Sequence, residues 1–383
     1  MEPIKGFSDY TGEEAIKRDK IKSIIAETFK LYNFEPAETP IIEEEKFVKG
    51  ENINDEAVSD IYKLEDKGKR KLALRYEFTF QLKRLSKNKK LPYRRYQIGP
   101  VFRDEPTGVN RVRQITQCDI DIVGSTIKDE AEILNVMSEI LKKLNIDFVI
   151  NVNNRKLLNE ILEELKIPEN KKLEVIREID KLDKLPKEEV NDNLKKLKAD
   201  KSLEIFSKPE KFFEKYKSYE EILELKKACE LYDIKINFCP FLARGLSYYN
   251  GNIFEIKTKE IKETICAGGS YLVNGIQSTG ISTSIERLTA VSKIKIENKK
   301  FLIISLNQDK LAIELARKIR NKNISCSVFF GKPSKALDYA NSYNIQKVIF
   351  IGDEEIKKKK YKLKDMNTGK ESYLTEKQLE KID

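Results

Sequence analysis

The alternation of apolar and polar residues divides the chain into readable elements. Residues 13–32 (EEAIKRDKIKSIIAETFKLY) set Ile21, Ile24, Ile25, Phe29 and Tyr32 at three-to-four spacing between Lys and Glu, which predicts an amphipathic helix. Thr39-Pro40-Ile41-Ile42 ends that period and opens an extended segment, because a residue before proline is pushed out of the α region. Lys71–Thr79 (KLALRYEFT) alternates as a strand running into a helix around 80–86. Arg94–Arg103 (RRYQIGPVFR) and Arg113–Val123 (RQITQCDIDIV) read as an antiparallel pair, joined by a polar loop holding Pro106 and Gly108. A helix over 128–144 and a strand over 147–152 follow.

Residues 155–235 change to Lys, Glu, Leu and Ile at helical spacing, broken near Pro168, Pro186 and Pro209, and read as a helical insertion. Strand patterns return at 235–237, 252–257 and 263–267, and a helix is predicted over 285–291. After the charged linker 293–298 the pattern becomes strand 301–306, helix 308–321, strand 325–330, helix 333–342 and strand 347–351. Strands separated by helices predict a small α/β domain with parallel strands. Its end reads as a hairpin turning at Asn367-Thr368-Gly369.

Composition narrows the chemistry. The 383 residues include no His, so imidazole general bases, Ser-His-Asp triads and HExxH zinc sites are excluded. The five Cys form no CxxC, which argues against a zinc ribbon or disulfide framework and for a reducing compartment. The N-terminus shows no apolar signal region, and runs such as Phe301–Leu306 (FLIISL) are too short to cross a bilayer. The expectation is a soluble cytoplasmic protein without a membrane partner. The net charge is +10, and residues 300–383 carry 18 basic against 11 acidic residues. That fits either a polyanionic partner for the C-terminal part or the Lys bias of the whole chain.

Three Arg-centred clusters stand out from the Lys background: Phe102-Arg103-Asp104-Glu105 with Arg111 and Arg113, Leu242–Tyr249 around Arg244, and Gly280–Leu288 around Arg287. A guanidinium offers a planar fork for phosphate or carboxylate, although each Arg alone also fits a structural Arg–Glu pair. Glu77 and Thr79 are expected on one face of a strand, and Gln117, Asp119 and Asp121 on one face of another. A cleft between Glu77, Thr79, Gln117 and Asp121 suits a cationic amine and a second N–H donor. An ordinary polar sheet face is the competing reading.

These residues also carry a resemblance. KGFSDYTGEEA, TPIIEEEKF, LALRYEFT, RRYQIGPVFRDEPTGVNRVRQITQCDIDIVG, LARGLSYYNG, ICAGGSY and GISTSIERL resemble, in order, the N-terminal segment, motif 1, the LRYDLT element, motif 2, the RGLDYY signature, CAGGRYD and motif 3 of histidyl-tRNA synthetases. QCDIDI and IDKLDK resemble the archaeal and eukaryotic branch of that family. The resemblance covers nearly the whole chain. It implies an α+β fold: a class II synthetase antiparallel-sheet catalytic core in two parts, 1–154 and 236–292, interrupted by the 155–235 insertion. Residues 299–383 would be a C-terminal α/β anticodon-binding domain.

The implied activity is a histidine–tRNA ligase that makes histidyl-adenylate from histidine and ATP with Mg²⁺, without zinc, and passes it to histidine tRNA. A homodimer is implied as well. Arg103, Glu105, Arg113 and Arg287 would hold ATP, with Arg103, Arg244 and Arg287 carrying catalysis. Glu77, Thr79 and Gln117 would hold the α-amino group. Asp121 and Tyr249 would bond the imidazole, with Tyr248 and Tyr271 alongside, and Arg244 would sit by the substrate carboxylate. Four positions depart from the family pattern: Ser247 stands where it has Asp, Ser270 and Leu272 replace Arg and Asp, and Ser284 replaces a motif 3 Gly. Two other readings compete, a histidine-sensing regulatory subunit of ATP phosphoribosyltransferase built on the same core, and an RNA-binding module.

Overall fold

Alternating segments become strands wherever one face can be covered by helices. In the computed structural model, which describes residues 1–49, 60–108, 111–183, 185–243, 248–296 and 300–379, the chain divides into two units, Met1–Ile294 and Lys295–Asp383.

The first unit holds β1 (Glu35–Pro36), β2 (Ile42–Glu44), β3 (Lys63–Glu65), β4 (Lys71–Leu74), β5 (Tyr93–Phe102), β6 (Gln114–Val123), β7 (Val149–Asn154), β8 (Ile236–Phe238), β9 (Tyr249–Lys257), β10 (Cys266–Val273) and β11 (Ile276–Ser284). Eight of them form one sheet in the order β1-β5-β6-β11-β10-β9-β7-β8, and β2, β4 and β3 form a small second sheet. The large sheet is antiparallel except at its edges, where β1 runs parallel to β5 and β8 parallel to β7. The motif 2 strands expected at 94–103 and 113–123 are the β5–β6 pair, in register from Tyr93 opposite Val123 to Phe102 opposite Gln114.

In β6, Cys118, Ile120 and Ile122 are fully buried and join the core with Ile21, Ile25 and Phe29 of the helix Gly12–Leu31 and Ile133 and Met137 of the helix Ile127–Lys143. The second helix starts with a capping box in which Thr126 and Asp129 satisfy each other's free N–H groups. Among the described residues, 155–235 contain five α-helices, Arg155–Glu164, Glu169–Asp180, Lys187–Lys196, Lys201–Phe206 and Tyr219–Glu230. Their Leu157, Ile161, Val175, Leu194 and Ile222 belong to the same core as Ile253 and Phe254 of β9, so this segment forms no separate compact unit.

The strand predicted over 71–79 is shorter: β4 ends at Leu74, and Arg75–Thr79 is irregular. Arg75 is the physical reason. Its buried guanidinium donates to the Pro100 carbonyl (2.9 Å) and the Thr39 carbonyl (2.6 Å), which bends the chain out of the ladder. Glu77 and Thr79 therefore reach the site from a loop and do not share a strand face.

The second unit has β12 (Lys300–Ser305), β13 (Ser325–Phe330), β14 (Lys347–Ile351), β15 (Tyr361–Asp365) and β16 (Glu371–Leu374) in the order β13-β12-β14-β15-β16. β12 is parallel to both neighbours, and β15 and β16 add an antiparallel hairpin. Helices Asp309–Arg320 and Pro333–Ser342 pack on opposite faces, giving two small cores around Ile303 and Ile304. The run of lysines near 357–360 ends a short helix, Asp353–Lys358, that the pattern did not predict. Among the described residues no helix is long and apolar enough to cross a membrane.

Candidate active site

Strand register assembles a polar face that periodicity alone does not reveal. Asp121 of β6 lies opposite Arg95 of β5 and Gly280 of β11. Asp119 lies opposite Gln97 and Ser282, and Gln117 opposite Gly99 and Ser284. Partners across an antiparallel ladder share a face, so three strands present their polar residues together while Cys118, Ile120 and Ile122 fill the core behind.

Arg95 is wholly buried and forms an ion pair with Asp121, Nη2 to Oδ2, at 2.8 Å. The Tyr271 hydroxyl donates to the other Asp121 oxygen. Ser282 Oγ donates to Asp119 Oδ1 (2.6 Å) and Gln117 Nε2 to Asp119 Oδ2 (2.8 Å). Gln97 Nε2 donates to Thr39 Oγ1 at 2.8 Å, tying the loop before β2 to this face. Glu77 arrives from the Arg75–Thr79 loop, and Tyr248 Oη donates to its Oε2 at 3.4 Å. The rings of Tyr248, Tyr249 and Tyr271 gather beside it, with Tyr248 and Tyr249 centred 4.8 Å apart and Tyr248 and Tyr271 5.6 Å apart.

Burial dominates the electrostatics. It raises the Glu77 carboxyl to about 8, against the pull of Arg103, with Asp119 and Asp121 adding to the rise. It raises Asp119 to about 7, with Asp121 adding and Arg95 opposing. Asp121 is raised by burial, and Arg95 and Tyr271 hold it back. Glu77 Oε1, Gln97 Oε1 and Gln117 Oε1 are buried acceptors without a hydrogen-bond partner. Buried acceptors are nearly always satisfied in folded proteins. Three around a carboxylate cluster suit a ligand that brings N–H donors and positive charge.

Beyond this face lie the expected phosphate contacts. Arg103 Nε donates to the Tyr76 carbonyl at 3.2 Å, and its Nη1 is 3.9 Å from Glu105. Glu105 is gripped by Arg111 at 2.5 Å, while Arg113 donates to the Glu105 carbonyl (3.1 Å) and pairs with Asp104 (3.2 Å). Exposed pairs of this kind contribute little, roughly 0–1 kcal/mol, so a polyphosphate can exchange them. Arg287 lies in the first turn of the helix Ile285–Val291 and donates to the Thr264 carbonyl at 2.7 Å. Its neighbour Glu286 accepts from Arg18 (2.6 Å) and, through both oxygens, from the Thr116 N–H (3.1 and 3.0 Å), which fixes this helix beside the start of β6.

The structure thus brings Glu77, Thr79, Gln117, Asp121, Tyr248, Tyr249 and Tyr271 to one region, and Tyr248 bonds Thr79 as well. Arg244 and Ser247 lie outside the described residues. Ser284 caps the helix Ile285–Val291, its Oγ accepting from the Arg287 N–H at 3.4 Å. Ser270 donates to buried Glu130, and Leu272 is half exposed. Arg95 and Gln97 are not among the expected residues, and Gly280 and Ser282 lie in the expected Gly280–Leu288 cluster without being placed beside Asp121 and Asp119. The alternation Arg95-Gln97-Gly99 was the available signal, but it becomes informative only with the register.

The chain is similar to known proteins over nearly its whole length. A family model described as histidyl-tRNA synthetase matches residues 6–288, and one described as an anticodon binding domain matches residues 300–382. A histidine–tRNA ligase 1 of Bacillus cereus is 32% identical over 415 residues, covering 97% of each chain. The crystal structure of histidyl-tRNA synthetase from Nostoc sp. PCC 7120 superposes with a TM-score of 0.85 at 23% identity, over 99% of this chain and 98% of that one. A structure described as an ATP phosphoribosyltransferase regulatory subunit/histidyl-tRNA synthetase from Bacillus halodurans C shares the fold with a TM-score of 0.78 at 22% identity, over 91% and 98%.

Proposed function

The chain belongs to the histidyl-tRNA synthetase family, and from that premise we propose that its polar sheet face is where histidine is bound and joined to ATP. As a member it is an aminoacyl-tRNA ligase, with histidine, ATP, a divalent metal and tRNA as its reactants. One observation supports the location best: Glu77, Gln97 and Gln117 keep unpartnered buried acceptors around the Asp119–Asp121 carboxylates. In our reading Glu77, Thr79 and Gln117 take the α-ammonium of histidine, and Asp121 and Tyr249 take the ring nitrogens.

The chemistry needs no imidazole from the protein. The histidine carboxylate is already an anion, and one of its oxygens attacks the α-phosphorus of ATP. The P–O bond to the β-phosphate breaks, pyrophosphate leaves with the electron pair, and histidyl-adenylate remains. The task is to bring two anions together and stabilise the charge between them, which positioned guanidinium groups do. We assign that work to Arg103, Arg244 and Arg287, with Glu105 and Arg113 completing the nucleotide contacts. Mg²⁺ would enter with ATP as part of the substrate and would supply neutralisation of the phosphate charge. The tRNA terminal ribose then takes the histidyl group and releases AMP. A homodimer and a cytoplasmic setting complete the proposal.

Histidine-dependent exchange of radiolabelled pyrophosphate into ATP tests the location. Glu77→Gln removes the charge that meets the ammonium and should raise the histidine KM at least tenfold, since a charge-assisted hydrogen bond contributes roughly 1.5–3 kcal/mol. An unchanged KM would place the amino group elsewhere.

A further inference from the structure

We propose that Arg95 is a positioning residue that makes the pocket selective for the histidine side chain, by holding Asp121 in register with the loop that carries Glu77 and Thr79. The proposal rests on the reading of Asp121 as the ring acceptor and goes beyond it.

Arg95 occupies an unusual place. It is fully buried on β5, directly opposite Asp121 on β6. Nη2 lies 2.8 Å from Asp121 Oδ2 and also donates to the Phe78 carbonyl at 3.0 Å. Phe78 sits between Glu77 and Thr79, so one guanidinium joins the residue assigned to the ring and the backbone assigned to the amino group. That backbone belongs to no strand, so ladder hydrogen bonds do not hold it against the sheet. Tyr271 takes the second Asp121 oxygen, and the two contacts together fix the plane of the carboxylate. Each oxygen keeps a lone pair for a ligand N–H.

Charge supports the same role. Glu77, Asp119 and Asp121 are three buried carboxyls acting on one another, and Arg95 opposes the rise in both aspartates. A Lys could supply that charge. It could not reach both acceptors, because both contacts are made by Nη2, and a Lys Nζ ends at about the position of the Arg95 Cζ, one bond short of it.

The test uses the full-length protein with Arg95→Lys, Arg95→Met and Asp121→Asn, read by pyrophosphate exchange. KM is measured for histidine and for ATP, and the competitive Ki for β-(2-thienyl)alanine, which has a five-membered ring without a ring N–H. Arg95→Lys should raise the histidine KM roughly tenfold and Arg95→Met more, as expected for loss of charge-assisted contacts. The ATP KM should stay within about twofold, and the ratio of thienylalanine Ki to histidine KM should fall by about tenfold. If Arg95→Met does not fold, the Lys variant decides alone. Equal weakening of both amino acids would mean that Arg95 only stabilises the fold, and an unchanged histidine KM would mean that it does not matter. Either result overturns the proposal. Should Asp121→Asn also leave the histidine KM unchanged, the reading of Asp121 itself fails. If Asp121→Asn raises it while the Arg95 variants do not, only the role of Arg95 fails.

Discussion

Gly280 and Asp121 face each other across the β11–β6 ladder, and a Cβ on Gly280 would overlap Asp121 Oδ1 and stand 2.9 Å from both Asp121 Cγ and Tyr271 Oη. The glycine is there to leave space for a carboxylate, since its backbone is ordinary strand. Both neighbours are fixed, Asp121 by Arg95 and Tyr271 by Asp121, so neither can yield cheaply. Gly280→Ala should therefore raise the histidine KM at least tenfold while the ATP KM changes little, and should lower the melting temperature through overpacking of about 1–3 kcal/mol. Exchange kinetics and a thermal scan on the same preparation check both parts. A variant with wild-type histidine KM would show that Asp121 can move without consequence.

Proton release should accompany histidine binding. Glu77, raised to about 8, is mostly protonated at neutral pH in the free protein. A bound ammonium favours the ionised carboxylate and lowers that value. Binding below pH 8 must then expel a proton, so affinity should rise with pH up to about 8, and fall again at higher pH where the ammonium itself loses its proton. Calorimetry at pH 7 in buffers of different ionisation enthalpy should report close to one proton released. Glu77→Gln should remove most of that release, and proton uptake would contradict the assignment.

The elements were largely legible before the structure. The Gly12–Leu31 helix, the β5–β6 pair and the parallel strands of the second unit follow from apolar periodicity, because each buries one face. Gln117, Asp119 and Asp121 could be assigned to one face of β6 for the same reason. Alternation cannot say which residue of another strand lies opposite, so Arg95 and Gly280 remained hidden: 26 positions separate Arg95 from Asp121, and 159 separate Gly280 from it. The alternation of KLALRYEFT predicts a strand through Glu77, and the side-chain bonds of Arg75 to Thr39 and Pro100 override that local pattern.

The C-terminal unit should be separable in function. Lys295–Asp383 forms its own unit with its own cores and matches an anticodon-binding domain from residue 300. Deleting 299–383 should leave histidine-dependent exchange measurable and weaken tRNA binding strongly. The affinity of the intact protein for tRNA should fall linearly with log salt, as released counterions require. Normal charging by the truncated protein would contradict this division.

Arg244→Lys keeps the charge and removes the fork. If Arg244 bridges the α-phosphate and the histidine carboxylate, kcat for exchange should fall about 10²–10³-fold, the usual cost of losing one preorganised donor. The histidine KM should move much less, because the amino and ring contacts remain. Near wild-type kcat would reduce Arg244 to a local positive charge.

Charging of total tRNA with tritiated histidine by the purified full-length protein tests the central claim most directly. The claim predicts ATP-dependent transfer of histidine to tRNA, strongly reduced in Glu77→Gln at low histidine concentration, and no detectable charging with the other amino acids. A protein that binds histidine but transfers none to tRNA, with its Glu77→Gln variant indistinguishable in this assay, would contradict it.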